Sequence, residues 1–454
     1  MSTPHEASDD FRPFRHELAW RDVDFYDIQK VEAEMRRVFD ICHGCRRCFN
    51  LCDSFPRLFD LIDAAPTGEL DSVAVEDYKA VVDACTLCDM CFMTKCPYVP
   101  PHEFELDFPH LMLRYRAAEL KLERMRPDRH YEPAAELAKT DRNGRLGGLA
   151  APLANWASSR HNHFTRPILE FVAGVARDAE LPKFGIQTFR QKALDAPPIN
   201  RTAPAFGRKA VLYATCFVEY NNPGIGLATR AILAHNGVET EICYPGCCGM
   251  PQLEQGDIAD VAARAKDVAS ALKPFINSGY RVVALVPSCA LMLKFEWPLI
   301  LPHDPAVALL SRHTSDVSEY IVDIARHEGL APGLEPLEGG VTLHIACHAR
   351  AQNMGQKAAE LLNLVPDTRI EVIERCSGHG GSWGMRKEFF EVALKVGTPA
   401  ARQAVENATA FVASECPLAG PHLVQGIERV AADKPLPVQA HPIELFARAY
   451  GLGY

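Results

Sequence analysis

The stretch that decides the fold is Lys209-Ala210-Val211-Leu212-Tyr213-Ala214-Thr215-Cys216, in which an apolar strand pattern ends at a cysteine. The stretch Val341-Thr342-Leu343-His344-Ile345-Ala346-Cys347 has the same form, and its cysteine lies 131 residues after Cys216. Short apolar runs of this length are typical of buried strands. Their recurrence indicates that residues 206–454 contain a duplication.

Both copies continue with alternating helix and strand patterns. In the first copy these are a helix over 225–235, a strand over 238–243, a helix over 258–276 and a strand over 281–286. In the second they are a helix over 358–364, a strand over 369–373, a helix from about 387 and a strand over 410–413. Alternation of this kind predicts parallel sheets with helices on their faces, in a Rossmann-like α/β fold.

The cysteines of both copies follow the ends of these strands. The first copy has Cys216, Cys247, Cys248 and Cys289, and the second has Cys347, Cys376 and Cys416. A lone buried cysteine often serves only as a small apolar residue. Three strand ends repeated in register instead predict a shared ligand site, because the carboxyl ends of parallel strands meet at one edge of a sheet.

Eight further cysteines occupy residues 42–96 in two closely spaced runs. The first run is Cys42, Cys45, Cys48 and Cys52, and the second is Cys85, Cys88, Cys91 and Cys96. In such runs the fourth cysteine usually ligates the other cluster. We therefore assign one [4Fe-4S] cluster to Cys42, Cys45, Cys48 and Cys96, and a second to Cys85, Cys88, Cys91 and Cys52. Zinc is the alternative, but a zinc site needs only four ligands.

Two departures from the usual cysteine run bear on this crossing of ligands. Asp53 stands where a proline normally follows the first run, and the second run has one extra residue before Cys96. Between the runs, residues 73–82 have a helical pattern, which favours an α-helical ferredoxin domain. Four nearby cations are candidates to offset cluster charge, or are simply solvated: Arg46, Arg47, Lys79 and Lys95.

The chain divides into five predicted regions. They are an N-terminal lead over 1–35, a ferredoxin-type domain over 36–104, a helical connecting region over 105–205 and two α/β domains over 206–335 and 336–454. The lead includes a helix pattern over 27–38. The connecting region contains no cysteine and no other chemical signal, and we expect it to serve as a docking surface.

Composition limits the classes of function. The 454 residues carry a net charge of −10, which argues against a nucleic-acid-binding protein. The first twenty residues lack the apolar segment of a secretory signal, and the longest apolar run, 282–293, is too short to span a bilayer. We therefore expect a cytoplasmic location for the chain, with peripheral contact at the inner face of the membrane as an alternative. Closely grouped cysteines in a reducing cytoplasm indicate metal or redox sites.

The stretch Gly246-Cys247-Cys248-Gly249-Met250-Pro251 resembles the cysteine-rich CCG domain. That domain occurs in heterodisulfide reductase B and D subunits and in the iron–sulfur subunits of glycolate oxidase and anaerobic glycerol-3-phosphate dehydrogenase. The second copy is similar at Cys376-Ser377-Gly378-His379 and at His344-Ile345-Ala346-Cys347-His348. A twin ferredoxin domain followed by two CCG domains is the module order of the C subunit of that dehydrogenase, so the resemblance covers residues 36–104 and 206–454.

The resemblance implies electron transfer between a partner oxidoreductase and a quinone, a thiol or a redox protein. CCG domains hold a cubane or noncubane [4Fe-4S] cluster, and some copies hold zinc. Carried over to this chain, the resemblance assigns Cys216, Cys247, Cys248 and Cys289 to the first site. Adjacent ligands at Cys247 and Cys248 require a sharp loop, which Gly246 and Gly249 permit.

This chain departs from the fullest family pattern in both copies. Val286 and Ala413 stand where a further cysteine would precede Cys289 and Cys416, and Ser377 replaces one of the paired cysteines. The second site therefore lacks a fourth thiol, and a cluster, zinc or no metal remain open there. The candidate fourth ligands are Ser377, His344, His348, His379 and Glu415. The three histidines are also candidate catalytic proton donors, and Cys243 is either a ligand or a buried strand thiol.

The sequence has no phosphate-binding loop, and Gly224-x-Gly226 lacks the third glycine of a dinucleotide fingerprint. A flavin would therefore sit on a partner, either a flavin dehydrogenase subunit or a redox protein such as a rubrerythrin. The leading hypothesis is an electron-transfer subunit of an oxidoreductase, rather than a free-standing enzyme. Two alternatives remain: a reductase that acts itself on a disulfide, thiol or quinone, and CCG repeats that serve as zinc-stabilised interaction domains.

Overall fold

A computed structural model describes residues 13–126 and 133–453. The first twelve residues of the predicted lead lie outside the described part. Contacts divide the chain into two compact units, one ending at Met125 and the other beginning at Arg126. This boundary falls inside the predicted connecting region 105–205.

The first unit is helical. Its α-helices are α1 (Ile28–Cys45), α2 (Ser54–Asp63), α3 (Tyr78–Ala84) and α4 (Phe108–Met125). Short 3-10 turns at Val23–Tyr26, Leu70–Ser72 and Val75–Asp77 and a π-helical turn at Cys91–Lys95 complete the unit. The Asp27 carboxylate accepts hydrogen bonds from the amides of Gln29 and Lys30 at 3.1 and 3.4 Å, and this cap fixes where α1 begins.

Aromatic side chains form the centre of the first unit. The rings of Phe55 and Phe108 lie 4.6 Å apart, and those of Phe39 and Tyr78 lie 5.1 Å apart, all of them buried. They join α1, α2, α3 and α4 around one core. The first cysteine run begins in the last turn of α1 and the second follows the end of α3, so this core fixes the positions of both runs.

The second unit begins with short helices and continues into the duplicated part. The leading helices are α5 (Pro133–Leu137), α6 (Thr140–Leu149), α7 (Ala151–Ser158), α8 (Arg166–Ala173) and α9 (Phe189–Lys192). The first repeat adds α10 (Thr215–Tyr220), α11 (Pro223–His235), α12 (Met250–Glu254), α13 (Ile258–Asn277), α14 (Pro287–Leu291), α15 (Trp297–Ile300), α16 (Pro305–His313) and α17 (Val317–His327), with a π-helical turn at Met292–Glu296. The second adds α18 (Cys347–Arg350), α19 (Lys357–Leu362), α20 (Phe390–Asn407), α21 (Ala419–Val430) and α22 (Pro442–Ala449), with a 3-10 turn at Trp383–Met385.

Each repeat contains a four-stranded parallel sheet, which confirms the predicted α/β class. The strands are β1 (Lys209–Tyr213), β2 (Glu239–Cys243), β3 (Arg281–Ala284) and β4 (Thr314–Asp316), then β5 (Val341–His344), β6 (Ile370–Ile373), β7 (Phe411–Ser414) and β8 (Val438–Ala440). The orders are β2-β1-β3-β4 and β6-β5-β7-β8, and every pair is parallel. The identical orders support the duplication.

The two repeats contact each other directly. The Ser288 hydroxyl lies 2.8 Å from His348 Nδ1, and the amide of Gln352 donates to the Pro287 carbonyl at 3.3 Å. Lys294 donates to Gln352 Oε1 at 3.1 Å. No helix of the described residues is long and apolar enough to cross a membrane.

Candidate metal centres

The first cysteine run lies around a cavity. Cys42, Cys45 and Cys48 line it, and Cys96 of the second run completes the thiol lining. Arg46, which closes α1, has a left-handed φ of 49° and turns the chain between Cys45 and Cys48. The four thiols thus surround one space although Cys96 lies far from the others in sequence, which is the crossed grouping that the spacing predicts.

The remaining ferredoxin-type cysteines form a second group. Burial, together with the charges of Cys88 and Cys85, holds the pKa of Cys52 well above its usual range. Burial and the same two neighbours, with Cys52, raise the pKa of Cys91. The positive φ angles of Leu87 (49°) and Asp89 (65°) bend the loop between these cysteines. The chain therefore gathers Cys52 with Cys85, Cys88 and Cys91.

The two groups are neighbours, because Cys48 of the first is among the charges that raise the pKa of Cys91. Cys48 itself has a pKa raised to about 11 by burial and by Cys96 and Cys45, against the lowering effect of Lys95 and Arg47. Lys95 and Arg47 both line the cavity. The other two proposed charge-offsetting residues are engaged elsewhere, Arg46 with Asp63 and Lys79 with Glu119 at 2.9 Å.

The four cysteines of the first repeat meet beyond the carboxyl ends of β1, β2 and β3. The sulfurs of Cys216 and Cys247 are 3.7 Å apart. Hydrogen bonds from Cys216 and Cys248, the first being the stronger, hold the pKa of Cys247 well below its usual range. Hydrogen bonds with Cys247 and Cys289 raise the pKa of Cys248. The four sulfurs of this group are the soft donors that iron–sulfur clusters and zinc prefer.

The loop that carries Cys247 and Cys248 is held by its own backbone and by buried aromatic residues. Gly249 adopts a left-handed φ of 86°, whereas Gly246 does not have a positive φ. The Tyr213 hydroxyl donates to the Gly246 carbonyl at 2.7 Å, and Trp297 Nε1 donates to the Cys248 carbonyl at 3.2 Å. Only one of the two glycines expected to permit the sharp loop therefore uses glycine's conformational freedom.

Residues from the cysteine-free connecting region complete this first site. Asp141 Oδ2 accepts a hydrogen bond from the Cys247 amide at 3.1 Å, and Asp141 Oδ1 accepts one from the Tyr244 hydroxyl. The Thr140 hydroxyl is buried without a hydrogen-bond partner, yet it lies close enough to lower the pKa of Cys247. A buried hydroxyl donor beside Cys216 and Cys247 fits a bound group that can accept its hydrogen bond.

The second repeat keeps the loop but not the thiol group. Gly378 has a φ of 79°, close to that of Gly249, and Ser377 occupies the position of Cys248. Cys376 is exposed and accepts a hydrogen bond from the Gly378 amide at 3.3 Å. The pKa of Cys416 is raised by burial and by the charges of Glu415 and Glu254. Within the residues described, no three or more Cys, His, Asp or Glu side chains lie close enough together to hold a single metal ion, in the second repeat or in the other cysteine groups.

The histidines predicted for the second site have different environments. Both ring nitrogens of His344 are engaged, with the Ser414 hydroxyl at 2.9 Å and the Arg375 carbonyl at 3.0 Å. His348 contacts Ser288 of the first repeat. His379 has neither ring nitrogen partnered, and burial lowers its pKa to about 3, so its imidazole is neutral.

One further histidine of the second site lies outside every motif in the sequence. The ring of His422 lies 5.6 Å from that of His379, and its Nε2 is buried without a partner. Burial lowers the pKa of His422 to about 4 and, together with Asp316, raises that of the candidate ligand Glu415 to about 8. At neutral pH Glu415 is therefore largely protonated and a weak metal ligand, whereas the two neutral imidazoles retain free lone pairs.

Comparison with known proteins places these sites in a family. The model of the cysteine-rich CCG domain matches the chain twice, at residues 210–294 and 341–420. Lactate utilization protein A from Bacillus pumilus is 31% identical over 189 residues, which are 39% of this chain and 75% of that protein. The chain belongs to the CCG family. The resemblance drawn from Cys247-Cys248 and from Cys376 onward is thereby confirmed.

Two other relatives of this CCG protein are named as subunits of larger enzymes. The C subunit of anaerobic glycerol-3-phosphate dehydrogenase from Escherichia coli K12 is 25% identical over 283 residues, 62% of this chain and 69% of that protein. The B subunit of fumarate reductase (CoM/CoB) from Methanothermobacter marburgensis is 25% identical over 228 residues, 49% of this chain and 43% of that protein. These relatives support an oxidoreductase-related, electron-transport role.

Sequence reasoning missed several residues of the CCG protein's sites. Thr140 and Asp141 lie in a region that we expected to carry no chemistry, and His422 lies on α21 without a recognisable motif. Cys243 is partly buried at the end of β2, and burial raises its pKa. All sixteen cysteines are free thiols.

Proposed function

We propose that this CCG protein is the iron–sulfur electron-transfer subunit of an oxidoreductase complex. The observation that carries the proposal is the cavity between Cys42, Cys45, Cys48 and Cys96. Crossed ligation of this kind belongs to two-cluster ferredoxins, in which each run lends its last cysteine to the other cluster. The second cluster would be held by Cys52, Cys85, Cys88 and Cys91.

A [4Fe-4S] cluster, when bound, supplies reversible one-electron transfer. The chain's own residues hold it and set its surroundings. The amides of Ser54 and Phe55 donate to the Cys52 sulfur, and Lys95 and Arg47 face the other group with positive charge. Both features stabilise a more negative, reduced site. The proximity of Cys48 to Cys91 supports transfer between the two clusters.

We assign a third cluster to Cys216, Cys247, Cys248 and Cys289 of the first repeat. Electrons would pass between the ferredoxin-type clusters and this site, and a flavin dehydrogenase subunit or a redox protein such as a rubrerythrin would exchange electrons with the chain. The two relatives that are named as parts of larger enzymes support the need for a partner. Clusters and free thiols of this kind suit the reducing cytoplasm.

Metal analysis after anaerobic purification tests the assignment. With each cluster contributing about four irons, we expect about twelve irons per chain in the wild type and about eight in Cys248→Ser. Cys243→Ser is the matched control, because Cys243 ends β2 outside the four-thiol group, and it should retain about twelve irons.

The iron counts distinguish the alternatives. About eight irons in the wild type, with about two zinc ions, would show that the CCG repeats are zinc-stabilised interaction domains. The ferredoxin-type clusters would be ruled out if the wild type held fewer than about eight irons and Cys96→Ser held the same number.

A second candidate function is reduction of a disulfide or thiol adduct at the second repeat. Cys376, an exposed residue, and the unpartnered nitrogens of His379 and His422 favour it, because the second repeat then holds both a thiol and neutral imidazoles. The purified chain, assayed without a partner and with a chemical electron donor, should then reduce a small disulfide. Cys376→Ser should abolish that activity and Cys243→Ser should preserve it. If activity appeared only with a partner, the reductase function would be rejected and the electron-transfer role would remain.

A further inference from the structure

An arginine of the N-terminal lead lies against the second cysteine run. Arg15 Nη1 donates to Asp89 Oδ2 at 3.0 Å, and Arg15 Nη2 donates to Asp89 Oδ1 at 2.6 Å. The guanidinium and the carboxylate therefore form a bidentate pair. Asp89 lies between Cys88 and Cys91, two of the proposed ligands of the second cluster. A residue outside the predicted ferredoxin-type domain thus contacts the loop that carries these ligands.

The same guanidinium binds a second carboxylate. Arg15 Nε lies 3.0 Å from Asp107 Oδ2, and Arg15 Nη2 donates to Asp107 Oδ1 at 3.3 Å. Asp107 directly precedes α4, and its Oδ1 also accepts a hydrogen bond from the amide of His110 at 3.2 Å. Arg15 therefore joins the ligand loop to the beginning of α4.

This triad of charged side chains is largely removed from solvent. The side chains of Arg15, Asp89 and Asp107 are 11%, 6% and 20% exposed. The guanidinium carbon of Arg15 also lies 4.4 Å from the ring centre of Phe92, which is buried. An exposed ion pair contributes little, but removing one partner of a buried pair leaves the other charge uncompensated. Arg15 is therefore a fixed part of the first unit.

The contact supports a backbone bend in the ligand loop. Asp89 has a left-handed φ of 65°, a conformation that residues other than glycine adopt rarely. Both carboxylate oxygens of Asp89 are bound by Arg15, so the side chain of the bent residue is fixed in place. The pair thus stabilises the turn between Cys88 and Cys91.

The two carboxylates also act on the thiols by their charge. Burial raises the pKa of Cys85, and the charge of Arg116 opposes that rise. The negative charges of Asp89 and Asp107 raise this pKa further, so both carboxylates lie within electrostatic reach of the thiol. Net charge near a cluster sets its reduction potential, because reduction adds an electron. The cation of Arg15 offsets the two negative charges at this place.

We propose that Arg15 is a positioning residue for the second cluster: it fixes the loop 85–91, offsets the charges of Asp89 and Asp107, and thereby raises the reduction potential of that cluster. The inference rests on the proposed assignment of a [4Fe-4S] cluster to Cys52, Cys85, Cys88 and Cys91, and it names a residue outside both cysteine runs that adjusts this cluster.

A redox titration of the full chain, followed by electron paramagnetic resonance, tests the proposal. The second cluster is identified by the signal that Cys88→Ser removes. In Arg15→Gln the ratio of reduced to oxidised second cluster at a fixed solution potential should fall at least about tenfold, which is a decrease of about 59 mV for a one-electron couple. The exposed Arg21, whose guanidinium lies over Trp20, provides the matched control. Arg21→Gln should titrate like the wild type.

A second variant separates the effect of charge from a general loss of structure. Arg15→Gln/Asp89→Asn restores the wild-type net charge of the three side chains, and asparagine tolerates a left-handed φ. This double variant should return the ratio to within about threefold of the wild type. If Arg15→Gln instead loses the second cluster, its iron count should fall by about four, and the double variant should recover that iron.

Equal potentials in Arg15→Gln and the wild type, with the cluster present in both, would overturn the proposal. A lowered potential or a lost cluster that the double variant does not restore would also overturn it, because the effect would then not come from the uncompensated charge. A wild type without a second cluster would reject the cluster assignment itself. An iron-loaded wild type with an unchanged potential in Arg15→Gln would reject only the role of Arg15.

Discussion

At the scale of single residues, Thr140 and Asp141 make polar contacts with the first CCG site although they lie outside the repeat. Asp141 is fixed by the Cys247 amide and by Tyr244, and Arg264 lies 3.6 Å away. Thr140 begins α6 and brings its hydroxyl to the cysteines. A hydrogen bond to a cluster sulfur stabilises the reduced state and raises the potential.

Thr140→Val should therefore lower the potential of the proposed third cluster. Valine keeps the shape of threonine and removes only the hydroxyl. Loss of one hydrogen bond of about 1 kcal/mol corresponds to a decrease of about 40 mV for a one-electron couple. The measurement is a redox titration followed by electron paramagnetic resonance, using the signal that Cys248→Ser removes.

Thr140→Ser is the control for this prediction, because serine retains the donor. It should restore a potential near that of the wild type. Equal potentials in Thr140→Val and the wild type, with the cluster present in both, would mean that the hydroxyl does not contact the cluster.

The site residues that could be predicted from the sequence are those that recur at regular short intervals. The cysteines recur at short intervals, and the chain gathers Cys96 with Cys42 as their spacing predicts. Thr140 could not be predicted, because its contacts with Cys216 and Cys247 cross a long sequence separation and a single threonine has no pattern. His344 lies within a motif, yet both of its nitrogens bind the fold. His422 lies in no sequence motif, and it is recognised only in the structure, where its Nε2 is buried without a partner.

At the scale of elements, periodicity predicted the strands with apolar runs and missed the two short strands. β1 and β3 are apolar and fully buried along most of their length, so their pattern is plain in the sequence. β4 consists of Thr314, Ser315 and Asp316, three polar residues that are nonetheless buried. β8 is an edge strand with two exposed residues. Strands β4 and β8 form because a neighbouring strand pairs with them, and their own residues do not favour a strand.

The CCG loop has the same backbone in both repeats although its chemistry differs. Gly249 and Gly378 share a left-handed φ, and a Cβ on Gly378 would lie 1.9 Å from the Ala393 carbonyl oxygen. Glycine is therefore required in the second repeat by close packing against α20. Ser377 stands in place of a cysteine without disturbing that packing, so the second loop is retained as structure even where the fourth thiol is absent.

At the scale of the whole molecule, the second unit is a duplication whose halves are joined by polar side chains. Gln352 is 3% exposed and occupies the centre of this junction. Its amide donates to Pro287 of the first repeat, and its carbonyl accepts from Lys294, which also binds Glu319 at 2.8 Å. Such a buried junction should make the two repeats unfold together.

Gln352→Ala should weaken this coupling between the repeats. Removing a buried hydrogen-bonding partner leaves the Pro287 carbonyl and part of the Lys294 ammonium unsatisfied, at a cost of about 2 kcal/mol. In differential scanning calorimetry of the loaded protein, the transition of the second unit should shift down by about 3 °C and broaden. Gln356→Ala is the matched control, since the Gln356 side chain donates to the surface residue Glu374, and it should shift the midpoint by less than about 1 °C. Equal shifts in the two variants would show that the repeats are coupled through apolar packing instead of through Gln352.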